Sequence, residues 1–170
     1  RFVTINCNSK TTSEVWLLPT PASSSSSPRL LRGRVSGVQY FVEHHGAGNR
    51  FYIVTNDLHP DGEYDLCHCP SSSATADDGA LGPWERVAGG RGGQQQEVLE
   101  DLDLFRHFCV LYLRTKGGVP ALRVLRLGGG ASPVEQQEGK EAGDDVVALP
   151  VEAAVGKLQP GLNQDYDATT

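Results

Sequence analysis

An all-β chain is what this sequence predicts: an incomplete β-propeller of about three four-stranded antiparallel blades. Three observations carry that expectation. Short runs of aromatic and β-branched residues are bounded by Gly, Pro, Asn and Asp, the pattern of antiparallel hairpins. Similar runs recur, RFVTINC from Arg1, RFYIVTN from Arg50 and HFCVLYL from His107; Phe2 and Phe51 stand 49 positions apart, Phe51 and Phe108 57 apart. No stretch reads as a convincing helix, since the one candidate, Val151 to Leu158, is too short to hold itself together. Four short strands returning at roughly 40–50 residues is the propeller pattern, with inner strands apolar on both faces and outer strands short and polar. A β-sandwich is the alternative.

Taken in order, Phe2 to Cys7 alternates, placing Val3, Ile5 and Cys7 on one face of a half-buried strand. After the polar turn NSKTTS, EVWLL from Glu14 to Leu18 is its partner, stopped by Pro19 and Pro21. RLLRGRV from Arg29 to Val35 is an outer strand. The central trio follows: GVQYFVEHH, RFYIVTN and EYDLCHC, with WERVA from Trp84 to Ala88 outermost. VLEDLDLF from Val98 to Phe105 starts the next group, with Leu99, Asp101, Asp103 and Phe105 facing one way and Val98, Leu102 and Leu104 the other. HFCVLYL is nearly continuous in apolar residues, the mark of a strand covered on both faces. PALRVLRL and VVALPV complete that group. The expected blades are 1–35, 37–88 and 98–151, with the next beginning over 159–170; low-complexity loops occupy 22–28, 70–83, 89–96 and 128–145.

Composition bounds the function. The 170 residues suffice for one substantial core, although 20 Gly and 10 Pro commit much of the length to loops. A net charge of −6 argues against a nucleic-acid partner, which would want a basic face. Glu135, Glu138, Glu141, Asp144 and Asp145 cluster in one Gly-rich segment that reads as a solvated run. No apolar run is long enough for a membrane helix, and no membrane partner is expected. The chain opens on Arg1 inside an apolar strand and contains no Met, so an internal fragment is the expectation. Cys7, Cys67, Cys69 and Cys109 sit in strand-like segments, which favours free buried thiols, a reducing compartment and an intracellular location.

Motifs for chemistry are sparse. A hydrolase nucleophile needs the G-x-S-x-G elbow between strand and helix, and Gly33-Arg34-Val35-Ser36-Gly37 has the wrong spacing. His44, His45, His59, His68 and His107 are possible bases, but no nucleophile is placed beside one in sequence. Cys67 and Cys69 share a strand face with His68 pointing away; with His59 or His45 they fit a zinc site loosely, and small residues packing between blades is the simpler reading. His44-His45 reads as a solvent-exposed strand end. Glu100, Asp101 and Asp103 read as a charged strand edge, a channel-facing or cation-binding cluster being the sharper alternative. No catalytic, cofactor-binding or metal residue is assigned, and no cofactor is expected.

NSKTTSEVWLL, GVQYFVEHHGAGNRFYIVTN, LEDLDLFRHFCVLYLRTKGGVPALRVL and PGLNQDYDATT, in that order, resemble the N-terminal propeller of the prolyl oligopeptidase family, in particular its oligopeptidase B branch. The most specific pieces are Thr12-Ser13-Glu14, the run from His45 to Asn56, and Glu100 to Phe105. The Ser run, the Gly/Gln run and the 129–145 insertion depart from the family core. The resemblance implies a seven-bladed propeller capping an α/β-hydrolase domain with a Ser, Asp, His triad. It also implies hydrolysis of short peptides after Arg or Lys, with the propeller gating access. None of the triad positions falls in this chain, so the expected partners are the hydrolase domain and a short peptide. A non-enzymatic propeller scaffold for protein–protein interaction is the competing expectation.

Overall fold

The computed structural model describes residues 2–20, 27–58, 62–72, 83–87, 97–115 and 117–127, together with the backbone of 145–147. The possible helix at 151–158, the next-blade start at 159–170, the 89–96 loop and His59 lie outside the described residues. So do most of the 22–28, 70–83 and 128–145 loops and the end of VVALPV.

Every regular element described is a strand, and all pairing is antiparallel. The first sheet is β1 (Phe2–Asn6), β2 (Val15–Pro19) and β3 (Arg29–Arg32) in chain order. The second is β4 (Tyr40–His45), β5 (Arg50–Thr55), β6 (Asp65–Pro70) and β7 (Glu85–Arg86), again in chain order. The third is β8 (Glu97–Leu104), β9 (Phe108–Thr115), β10 (Pro120–Arg126) and β11 (Asp145–Val147). Sequential hairpins of this kind are blades, and a chain with three of them is an incomplete propeller. The first two sheets form one compact unit, Arg1–Val87, and the third belongs to a second, Ala88–Thr170.

In the first unit two sheets meet face to face. Val15, Leu17 and Leu31 from the first sheet share a core with Tyr40, Val42, Phe51, Ile53, Cys67 and Cys69 from the second. Burying each large side chain contributes roughly 1.5–3 kcal/mol, so this shared layer is the main force stacking the sheets. β5 is buried on both faces from Phe51 to Thr55, which explains its unbroken apolar sequence. The turn between β4 and β5 closes tightly: Asn49 takes φ 49°, and a Cβ on Gly48 would lie 2.6 Å from His45 Nδ1, so glycine is required there unless the His45 ring shifts.

Four expectations are corrected. The Val3/Ile5 face of β1 is the exposed one, at 47% and 40%; Phe2, paired with Pro19, turns inward and packs on the core. β8 does not alternate strictly, because its register against β9 shifts between Leu99 and Asp101. The extra residue, Glu100, puts Leu99 and Leu102 on one buried face, opposite Leu113 and Leu111. The strand covered on both faces is β5 and not β9, in which Cys109, Leu111 and Leu113 are buried while Val110 and Tyr112 are only half-buried. Finally, Phe2 and Phe51 are not equivalent positions of a repeat. Their rings touch, with centroids 5.2 Å apart in one interface, whereas blades related by rotation meet front to back and keep equivalent side chains apart.

Candidate functional site

The polar side chains of the second sheet gather around its β4–β5 turn. His44, near the end of β4, lies opposite Phe51 in register and stacks against both Phe2 and Phe51, with centroids 5.0 and 5.1 Å away. Its Nε2 is 3.1 Å from Ser71 Oγ, just beyond β6. The sequence separates these two residues by 27 positions, and only the β4–β5–β6 ladder reveals the pairing. The pair is a clasp and not a catalytic dyad. Ser71 is 3% exposed and its N–H donates to Asn49 O, so the hydroxyl is out of reach of substrate. Burial holds His44 below the ordinary histidine range, and no carboxylate orients its ring among the described contacts.

His45 is not the solvent-exposed strand end expected from sequence. It is buried, and its Nδ1 accepts the Gly48 N–H at 3.1 Å, which fixes the turn. On the same sheet His68 stands opposite Tyr52 and Glu85. Arg50 Nη1 donates to His68 Nδ1 at 3.1 Å, and Glu85 lies 3.9 Å from the same nitrogen. Burial first, then the Arg50 charge, keeps His68 below its usual pKa, with Glu85 opposing. His107 is exposed on the β8–β9 connection.

Cys67 and Cys69 face the shared core together, both fully buried, with His68 on the opposite side as the strand period requires. Burial pushes both thiols up to about 11, the form of an inert packed cysteine and not a metal-binding thiolate. All four cysteines are free. Among the described residues no group of three His, Cys, Asp or Glu side chains converges as a metal site would require.

The acidic residues of β8 are dispersed into separate contacts. Glu100 holds Arg114 through two bonds of 2.7 and 3.1 Å; Asp103 accepts the Tyr112 hydroxyl at 2.8 Å; Asp101 accepts the Leu102 N–H at 2.9 Å. Burial and the Asp103 bond push Tyr112 up to about 12. Sequence reading missed the Glu97–Arg123 ion pair, whose side chains are 8% and 14% exposed on the apolar face of the third sheet. The 26 positions that separate the partners hide it. Among the described residues these contacts join strands within the third sheet.

Residues 1–139 match the family model described as prolyl oligopeptidase, N-terminal beta-propeller domain. The chain belongs to that family. It is 37% identical over 117 residues to a prolyl endopeptidase-like protein of Gallus gallus and 38% over 114 residues to that of Homo sapiens. These matches cover 69% and 67% of this chain and 14% of each relative, so the chain spans about one-seventh of their length. Among solved structures it resembles oligopeptidase B from Leishmania major, with a TM-score of 0.55 and 20% identity over 75% of this chain and 16% of that one. Oligopeptidase B from Trypanosoma brucei, with covalently bound antipain in a closed form, gives 0.55 and 24% over 76% and 17%. At these identities the structural likeness speaks for the fold, and it agrees with the three antiparallel hairpin sheets.

Proposed function

We propose that this chain is the propeller segment of a longer serine oligopeptidase that hydrolyses short peptides after Arg or Lys. In this reading the segment is structural: it narrows access to a catalytic α/β-hydrolase domain outside the chain and is silent by itself. The match of residues 1–139 to the N-terminal propeller of the family carries the reading. It is supported by the burial of His45, Cys67, Cys69 and Cys109, which gives these side chains a packing role. The partners are therefore the hydrolase domain of the same protein and a short peptide, with no role for nucleic acid or membrane.

The test compares the 170-residue chain with the product of the gene extended in both directions. Each is incubated with an Arg-containing chromogenic dipeptide and with a folded protein carrying exposed Arg residues. The expected result is no turnover by the chain, and dipeptide but not protein cleavage by the extended product. Hydrolysis by the chain alone would overturn the assignment of chemistry elsewhere. An extended frame lacking a G-x-S-x-G elbow would favour a non-enzymatic scaffold.

A further inference from the structure

The β4–β5 hairpin is closed by a side chain as much as by backbone. Across the turn the Asn49 N–H reaches Gly46 O at a long 3.3 Å, while the Gly48 N–H donates to His45 Nδ1 at 3.1 Å. An acceptor at Nδ1 requires the neutral imidazole, with its proton on Nε2. A charged ring donates from both nitrogens, so it would aim an N–H at the Gly48 N–H and lose the bond. The ring is buried and packed on the turn, where a Cβ on Gly48 would stand 2.6 Å from Nδ1. Two donors facing each other there reach water only if the turn opens.

The neighbouring charges favour release. Arg50, the register partner of His45 on β5, brings a fixed positive charge to the same face. Tyr52, also on β5, meets the His45 ring edge-on at 5.9 Å and the His68 ring of β6 at 6.1 Å. His68 is bonded to Arg50 and lies 3.9 Å from Glu85 of β7. On β4 itself Glu43 shares the face two positions back, opposite Tyr52. His44 points to the other face, yet it is close enough for its charge and that of His45 to oppose each other. Both partners of the Gly48 bond lie within one hairpin, paired from Tyr40 with Thr55 to His45 with Arg50, so the contact is local.

We propose that the β4–β5 turn is a pH-sensitive latch: a proton on His45 Nδ1 breaks the bond to Gly48 and opens the turn while the sheet stays folded. The inference does not rest on the peptidase reading. Amide hydrogen exchange of the unmodified chain across about pH 8 to 5, the window in which histidines take up charge, tests it. The chemical shifts of the His45 ring nitrogens, followed in the same samples, report when that ring charges. Rates are taken relative to the unfolded chain, which removes the intrinsic pH dependence of exchange. The expected result is that Gly48 protection falls by about tenfold or more, in step with the His45 ring. The Ile53 amide, in the middle of the β4–β5–β6 ladder, keeps its protection. His45→Gln retains an oxygen acceptor without the titration, and its Gly48 protection should no longer depend on pH. Gly48 protection that stays constant across the window in the unmodified chain overturns the proposal. So does a loss that Ile53 shares equally, one out of step with the His45 ring, or one that persists in the His45→Gln chain.

Discussion

Tyr40 joins the first two sheets through its hydroxyl. Val15 and Arg32 are register partners, but the β2–β3 register shifts between Val15 and Trp16, and the Tyr40 hydroxyl enters the gap. It accepts the Val15 N–H at 3.1 Å and donates to Arg32 O at 2.6 Å. Trp84 packs edge-on against its ring, with Arg32 lying 4.5 Å above the indole. Tyr40→Phe keeps the ring and removes both bonds, leaving a buried donor and acceptor unmatched. It should cost about 1–3 kcal/mol in urea unfolding without changing the slope of the transition. The histidines give the chain a pH dependence. His44 and His68 both titrate below the ordinary value of 6.5, chiefly through burial, so the unfolded chain binds more protons than the folded one between the two values. Their contribution is complete above pH 6.5 and disappears as pH falls through the lowered folded values. The melting temperature should fall on acidification below 6.5, and the double variant His44→Gln, His68→Gln should flatten that slope.

Single elements show what sequence does and does not carry. The hairpins were legible because their signals are local: Gly46 to Asn49 between β4 and β5, or Gly117-Gly118 between β9 and β10. Which face of a strand is buried was less so, because a one-residue shift exchanges the faces and tertiary partners decide it. β1 presents Val3 and Ile5 to the outside because Phe2 docks on Phe51 and His44. β8 buries Leu99 together with Leu102 because Glu100, the bulged residue, is drawn out to Arg114. The Ser71–His44 clasp and the Glu97–Arg123 pair were invisible for the same reason, as each depends on strands brought side by side. The ion pair has a distinct signature. Glu97→Gln removes the carboxylate bonded to the largely buried Arg123 and should cost about 1–3 kcal/mol by chemical unfolding. Adding Arg123→Met should recover most of that loss.

At the scale of the molecule, antiparallel hairpin sheets, family membership and a span of about one-seventh of its relatives describe a piece of a propeller. Among the described residues many polar side chains hold strands and turns, and Cys67 and Cys69 fill the space between the first two sheets. The central claim is that successive sheets of the first unit pack face to face through the Phe2 side of β1. Nuclear Overhauser contacts between aromatic rings in the folded chain test this most directly. The account predicts cross-peaks from the Phe2 ring to Phe51 and His44, with the Val3 and Ile5 methyls silent toward both. Cross-peaks from Val3 or Ile5 to Phe51, with none from Phe2, would contradict it.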